Sequence, residues 1–381
     1  MPDPAPPRRP ALLAWPRRAA PAGPLLADHD ERSLAELLAR AGAAPSAGAA
    51  RVAARRAIRY GLDPARDPAP RWDTGALAAL EIGAWAHPAL LALSPEISLS
   101  IAEVAPSSDE TVRLVLRARD GALVEAVLIP GPARTTLCLS SQVGCARSCS
   151  FCETGRLGLE RQLSAGEIVD QVRIARRVWP GAPPLQNLVF MGMGEPFDNL
   201  GEVLRAIRLL TDPGAFAFAP SRVTVSTVGV LDKLDAFFRG ARAELAVSLN
   251  APDDARRLPI MPINARFPLA ALKEALARAL PPRRRVLFEY VLFDHYNDAP
   301  EDADLLAAYV AGLRCRVNVI PCNPGPDPRL RPPPPERLDA FVTRLSGHGV
   351  TTLVRRPRGR DVGGACGQLA GRARAAGEGA S

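Results

Sequence analysis

Long apolar runs are missing from this 381-residue sequence, and with them any segment that would cross a bilayer as a helix. Histidine is scarce: His29, His87, His295 and His348 show no ligand spacing, so nothing points to a histidine-built metal centre. Lysine occurs only at Lys233 and Lys273, and the net charge of +8 is therefore carried by arginine. In a chain rich in alanine and proline throughout, that excess suits a polyanionic partner without establishing one. The first ten residues are crowded with proline and arginine and are followed only by the short Ala11–Trp15 apolar stretch, a poor secretory signal. A soluble, cytoplasmic protein is the expectation. No internal repeat is present.

Seven cysteines in a chain of this length do not make a secreted disulfide scaffold. Their distribution carries more than their number. Cys138, Cys145, Cys149 and Cys152 are crowded together, which points to metal or redox chemistry. Cys315 and Cys322 match no catalytic pattern, and core packing is their expected role.

Residues 1 to about 30 read as a tail, and about 31 to 90 as alanine- and leucine-rich helices such as Ser33–Ala41 and Ala49–Tyr60. From Ile97 to Ile129 the pattern becomes β-like, with a hairpin turn at Asp120-Gly121. Beyond it, strand-like runs at Thr136–Ser141, Asn187–Met191, Val223–Ser226, Glu244–Asn250, Val286–Phe293 and Arg316–Pro321 alternate with helix-compatible stretches. Six βα units predict a parallel sheet, as a partial barrel or an open doubly wound sheet. The division expected is 1–90 tail and accessory helical region, 91–130 hairpin region, 131–361 barrel, and 362–381 a C-terminal segment with Cys366. The polar residues Cys145–Cys152, Gly194, Glu195, Ser226, Ser248, Asn250, Asp294 and Asn323 all fall at carboxyl ends of strands, where the loops of an α/β barrel converge on its active site.

Cys145-x-x-x-Cys149-x-x-Cys152 puts three thiolates on one loop, enough for three irons of a cubane with the fourth left open. Structural zinc would want a fourth nearby ligand, and Cys138 lies seven residues upstream. The run Phe190-Met-Gly192-Met-Gly194-Glu195-Pro196 lacks the third glycine of a dinucleotide fingerprint, because Phe197 stands there. Ser226, Ser248 and Asn250 read equally as cofactor contacts or helix caps.

The cysteine spacing, with an aromatic residue before the last cysteine, resembles the signature of the radical S-adenosylmethionine (SAM) superfamily. Longer strings carry the resemblance further: Thr136–Cys145, Phe190–Pro196, Leu245–Pro252, Met261-Pro-Ile-Asn264 and Ala365-Cys366-Gly-Gln-Leu369. From about Leu123 to Ala370 the chain resembles the RlmN/Cfr family of RNA adenine methyltransferases. The resemblance implies an α/β fold, a partial (β/α)6 barrel with a small N-terminal accessory region, and as cofactors a [4Fe–4S] cluster on Cys145, Cys149 and Cys152 and two SAM per turnover. It implies SAM contacts from Gly194, Glu195, Ser226, Ser248, Leu249, Asn250 and Asn323. Cys366 would be the S-methylcysteine carrier, Glu125 the proton acceptor, and Cys138 the partner of Cys366 in a transient disulfide. The implied reaction is methylation of adenine C2 or C8 in 23S rRNA, with tRNA a second substrate, by a monomer supplied with electrons by flavodoxin or ferredoxin. Two departures stand out: Asn250 occupies a position where the family commonly has histidine, and the first ninety residues match only loosely. A radical SAM enzyme with another substrate, and a zinc-stabilised RNA-binding protein without catalysis, are the alternatives.

Overall fold

The computed structural model describes residues 24–41, 44–62 and 71–371. Most of the expected N-terminal tail and the end of the C-terminal segment lie outside the described residues. The tail expectation fails for residues 24–30. Leu25, Leu26 and Ala27 are buried, and Asp28 Oδ1 accepts the Gly166 N–H at 2.9 Å, so this stretch packs on the barrel.

Twelve strands are formed among the described residues: β1 (Ser100–Pro106), β2 (Val112–Arg117), β3 (Leu123–Pro130), β4 (Thr135–Cys138), β5 (Gln142–Cys145), β6 (Gly158–Gln162), β7 (Leu185–Phe190), β8 (Val223–Thr227), β9 (Glu244–Ser248), β10 (Val286–Leu292), β11 (Cys315–Pro321) and β12 (Thr352–Val354). Ten make one sheet in the order β1-β2-β3-β4-β7-β8-β9-β10-β11-β12, parallel from β4 onward. Each parallel strand lies beside the next one in sequence, so no topological switch point exists and the doubly wound alternative is excluded. The edges β1 and β12 do not pair with each other, which leaves the barrel partial.

Two features differ from the expected pattern. The hairpin has a third strand, β1, and β3 pairs antiparallel with β4, which joins the hairpin to the barrel sheet. A separate two-stranded ribbon, β5–β6, brackets the cysteine loop. Gly144, at φ +72°, makes that ribbon possible, because a Cβ there would lie 1.9 Å from the Gly158 carbonyl oxygen.

Helices cover the parallel strands for local reasons. Ser164 caps helix Ala165–Val178 by accepting from Glu167 N, and the Glu167 carboxylate accepts in turn from Ser164 N. Asp30 caps Glu31–Arg40 in the same reciprocal way with Ser33. Apolar residues of the N-terminal helices, such as Leu34, Leu38 and Ile58, belong to the same hydrophobic core as the barrel residues Leu188, Val225 and Phe288. The accessory region is therefore seated on the barrel. No helix among the described residues is long and apolar enough to cross a membrane.

Candidate active site

At the carboxyl ends of the parallel strands lies a cavity of about 860 Å³, counted to its open mouth. Cys145 ends β5, and Cys149 and Cys152 follow in the loop before helix Glu153–Arg156; all three line this cavity. Burial pushes Cys145 up to about 12 and pushes Cys149 and Cys152 upward, and Cys145 and Cys149 are each raised further by the neighbouring loop thiols. A metal that takes such thiols as thiolates removes this penalty. No trio of His, Cys, Asp or Glu among the described residues is gathered for a single metal ion. The donor set, soft sulfur alone, suits an iron–sulfur cluster that spreads its ligands over several irons.

The loop after β7 supplies the opposite wall. Gly194 has φ +100°, and a Cβ would sit 2.6 Å from Gln142 Cβ, so only glycine lets the two loops meet. Glu195 is buried; its carboxylate accepts N–H bonds from Phe197 and Val228, both at 2.9 Å. Burial nevertheless pushes it up to about 7. A ligand ammonium beside it would restore the charge that burial disfavours. Ser226 and Ser248 line the cavity from the ends of β8 and β9.

Three further residues expected to contact SAM are held by bonds within the protein. Asn250 lines the cavity, but its amide is already engaged, with Oδ1 accepting from Val291 N at 2.9 Å and Nδ2 donating to Met261 Sδ at 3.3 Å. Leu249 is fully buried and does not line the cavity; its carbonyl accepts from Arg257 Nε at 3.0 Å. Asn323 faces the C-terminal segment, donating to the Cys366 carbonyl at 3.1 Å and accepting from Arg360 Nε at 2.7 Å.

Cys366 lies far along the sequence and is brought to the same place. It lines the cluster-side cavity and also a second one of about 480 Å³, which contains Cys138. Cys138 is buried at the end of β4, beside Val127 and Val189, and burial pushes its thiol up to about 12. All seven cysteines are free, so the expected transient disulfide is not formed here. The strap Gly359–Gly371 that carries Cys366 is pinned along its length. Asp109 holds Gly359 N at 2.9 Å, Glu153 N donates to the Gly367 carbonyl at 2.8 Å, and Thr154 Oγ1 donates to the Leu369 carbonyl at 2.6 Å. Glu125 closes the far end: its Oε1 accepts from Ala370 N at 3.1 Å and Gly371 N at 2.7 Å, while Oε2 faces Arg113 at 3.4 Å. Glu125 is fully buried and lines neither cavity.

Sequence reasoning missed several residues. Glu289 on β10 is buried in the cavity wall, with Oε2 accepting from Asn318 at 2.8 Å and Oε1 without a partner. A carboxylate inside the apolar run Val286–Leu292 was the available signal. Arg257 is fully buried and gathers the carbonyls of Val228, Ser248 and Leu249 with Asn264 Oδ1, which explains why Asn264 accompanies the site. Arg355, just past β12, lines both cavities.

A partial barrel with three loop thiols and a Gly-Glu turn at its carboxyl face defines a radical SAM enzyme. The Radical SAM superfamily model matches residues 139–307. The chain is 78% identical to a probable RNA methyltransferase of Sorangium cellulosum over 92% of its own length and 88% of the relative's. It is 46% identical to the dual-specificity RNA methyltransferase RlmN of Syntrophobacter fumaroxidans, over 71% and 80% of the two chains. A crystal structure of a radical SAM methyltransferase from Sphaerobacter thermophilus superposes with a TM-score of 0.79 at 37% identity, covering 92% of this chain and all of that one. The chain belongs to the RlmN family of radical SAM methyltransferases, whose cofactors are a [4Fe–4S] cluster and SAM.

Proposed function

We propose that this enzyme methylates an adenine carbon, C2 or C8, in RNA, with Cys366 carrying the carbon. The observation that supports this most directly is the position of Cys366, which is shared between the cavity of the cluster thiols and the cavity of Cys138. An adenine ring carbon does not attack a sulfonium as an amine would, so ordinary methyl transfer to it fails. When bound, the cluster and SAM supply one-electron chemistry that activates an unreactive C–H bond.

The protein's part is positional. Cys145, Cys149 and Cys152 would hold the cluster, and Gly194, Glu195, Ser226 and Ser248 would bind SAM, with Glu195 accepting its ammonium. Two SAM are consumed per turnover, one to load Cys366 and one to activate it. Asn250, Leu249 and Asn323 support the site through the protein bonds described above rather than through a side chain presented to SAM. Glu125 is the proton acceptor, and the strap amides of Ala370 and Gly371 already occupy its Oε1. Taking the substrate proton there weakens both amide bonds, because a neutral carboxyl accepts less strongly than a carboxylate. Proton acceptance and loosening of the strap are thus one event, after which the Cys138 thiolate attacks the Cys366 sulfur: the S–S bond forms as the bond from Cys366 sulfur to the product carbon breaks, and that carbon leaves with the bonding pair and takes up a proton as the methyl group.

The substrate proposed is an adenosine of 23S rRNA, with tRNA a second target, in the cytoplasm; the enzyme works as a monomer with flavodoxin or ferredoxin as electron donor. Cys138→Ala tests the assignment. Anaerobic turnover should then accumulate a covalent protein–RNA adduct, seen as a gel shift that nuclease removes. Absence of the adduct, with RNA methylated at the normal rate, would remove Cys138 from the mechanism.

A further inference from the structure

Four residues line both cavities: Met191, Ile320, Arg355 and Cys366. Arg355 is the one that carries a charge. Its main chain is fixed by a bond from its N–H to the Val319 carbonyl at 2.9 Å, an extension of the β11–β12 pairing. Its guanidinium has five donors. One of these, on Nη1, meets Met191 Sδ at 3.3 Å, and no carboxylate among the described residues stands within ion-pair distance. Most arginines inside this fold are spent differently: Arg113, Arg147, Arg173 and Arg337 each pair with a carboxylate. Arg355 is left with the junction itself.

We propose that Arg355 is a positioning residue for the methyl-loading step, in which its guanidinium pairs with the ionised Cys366 sulfur and aims it into the cofactor cavity. The inference rests on the reading of Cys366 as methyl carrier. In that step a lone pair of the Cys366 sulfur forms a bond to the methyl carbon as the carbon–sulfonium bond breaks. The bonding pair leaves with the sulfonium sulfur, S-adenosylhomocysteine departs neutral, and the anionic and cationic charges cancel. A fixed cation beside the attacking sulfur keeps it at the junction before transfer and releases it afterwards, because the thioether product carries no charge. Cys366 stands first among the groups that raise Arg355, ahead of Glu289 and Cys138. Glu289 lines the cofactor cavity and keeps an unpartnered Oε1.

The test compares wild type with Arg355→Gln and Arg355→Lys, each purified in apo form and reconstituted with cluster in vitro so that Cys366 starts unmethylated. Iodoacetamide is added without SAM or RNA, and peptide mapping follows Cys366, with the half-buried Cys315 as internal clock. Arg355→Gln should slow alkylation of Cys366 about tenfold, and Arg355→Lys should recover most of that rate, since it keeps the charge. Cys315 should be unchanged. Methyl loading of Cys366 from SAM, read by peptide mass, should fall in parallel while SAM is still cleaved to 5′-deoxyadenosine. Alkylation of Cys366 at the wild-type rate in Arg355→Gln overturns the proposal, and if SAM or RNA affinity collapses instead, Arg355 belongs to the binding of that molecule. A wild-type protein that never acquires a methyl on Cys366 defeats the carrier reading itself, a separate result.

Discussion

The cysteine loop and the C-terminal strap both bring sulfur to one cavity, and they are built in opposite ways. The loop is local: Cys145, Cys149 and Cys152 sit inside one ribbon, β5–β6, closed by its own backbone. The strap is held by distant side chains, among them Asp109, Glu125 and Thr154, more than two hundred residues away in sequence. Short-range closure suits a cofactor that must stay fixed; long-range hydrogen bonds, each breakable alone, suit a sulfur that must serve two places.

The largest effect should come from breaking the loop. Cys149→Ala leaves two thiols for the cluster, and we expect loss of the brown chromophore and of all SAM cleavage in anaerobically reconstituted protein. Next, Cys366→Ala leaves the loop intact. It should abolish methyl transfer to RNA while 5′-deoxyadenosine formation persists, and undiminished RNA methylation would end the carrier assignment. Gly144→Ala attacks the ribbon without touching a thiol. Its Cβ would collide with the Gly158 carbonyl, so cluster content should fall and stability drop by about 1–3 kcal/mol, measured by iron analysis and denaturant titration. The smallest effect belongs to Thr154→Val, which removes one strap bond worth about 1 kcal/mol. Amide exchange at Gly367–Gly371 should quicken with the chromophore unchanged; equal protection in wild type and variant would mean that the strap does not depend on this bond.

The same contrast decides what could be read from the residues alone. The parallel strands announced themselves as apolar runs, and their observed ends differ from the expected ones by a few residues. That Cys145, Cys149 and Cys152 come together in one place was legible because their spacing is their geometry. The β5–β6 ribbon was not, since its strands are four and five residues long and β6 is polar and largely exposed. Strand β1 was missed in part because a bulge between Ile101 and Glu103 breaks its alternation. Asn323 was placed at the right strand end, but its amide turns toward a segment forty-three residues later, which no local pattern encodes. Arg257, Glu289 and Arg355 each owe their place to tertiary packing: Arg257 to carbonyls from two strand ends, Glu289 to its neighbours on β9 and β11, and Arg355 to β11.

One sulfur belonging to two chambers imposes a stoichiometric rule. The valence of Cys366 is filled either by a methyl group or by Cys138, never by both. In any sample the sum of the methyl-bearing and cross-linked fractions therefore cannot exceed one per chain, the free thiol making up part of the remainder. Peptide mass balance across a turnover would thus report which chamber the enzyme has last used.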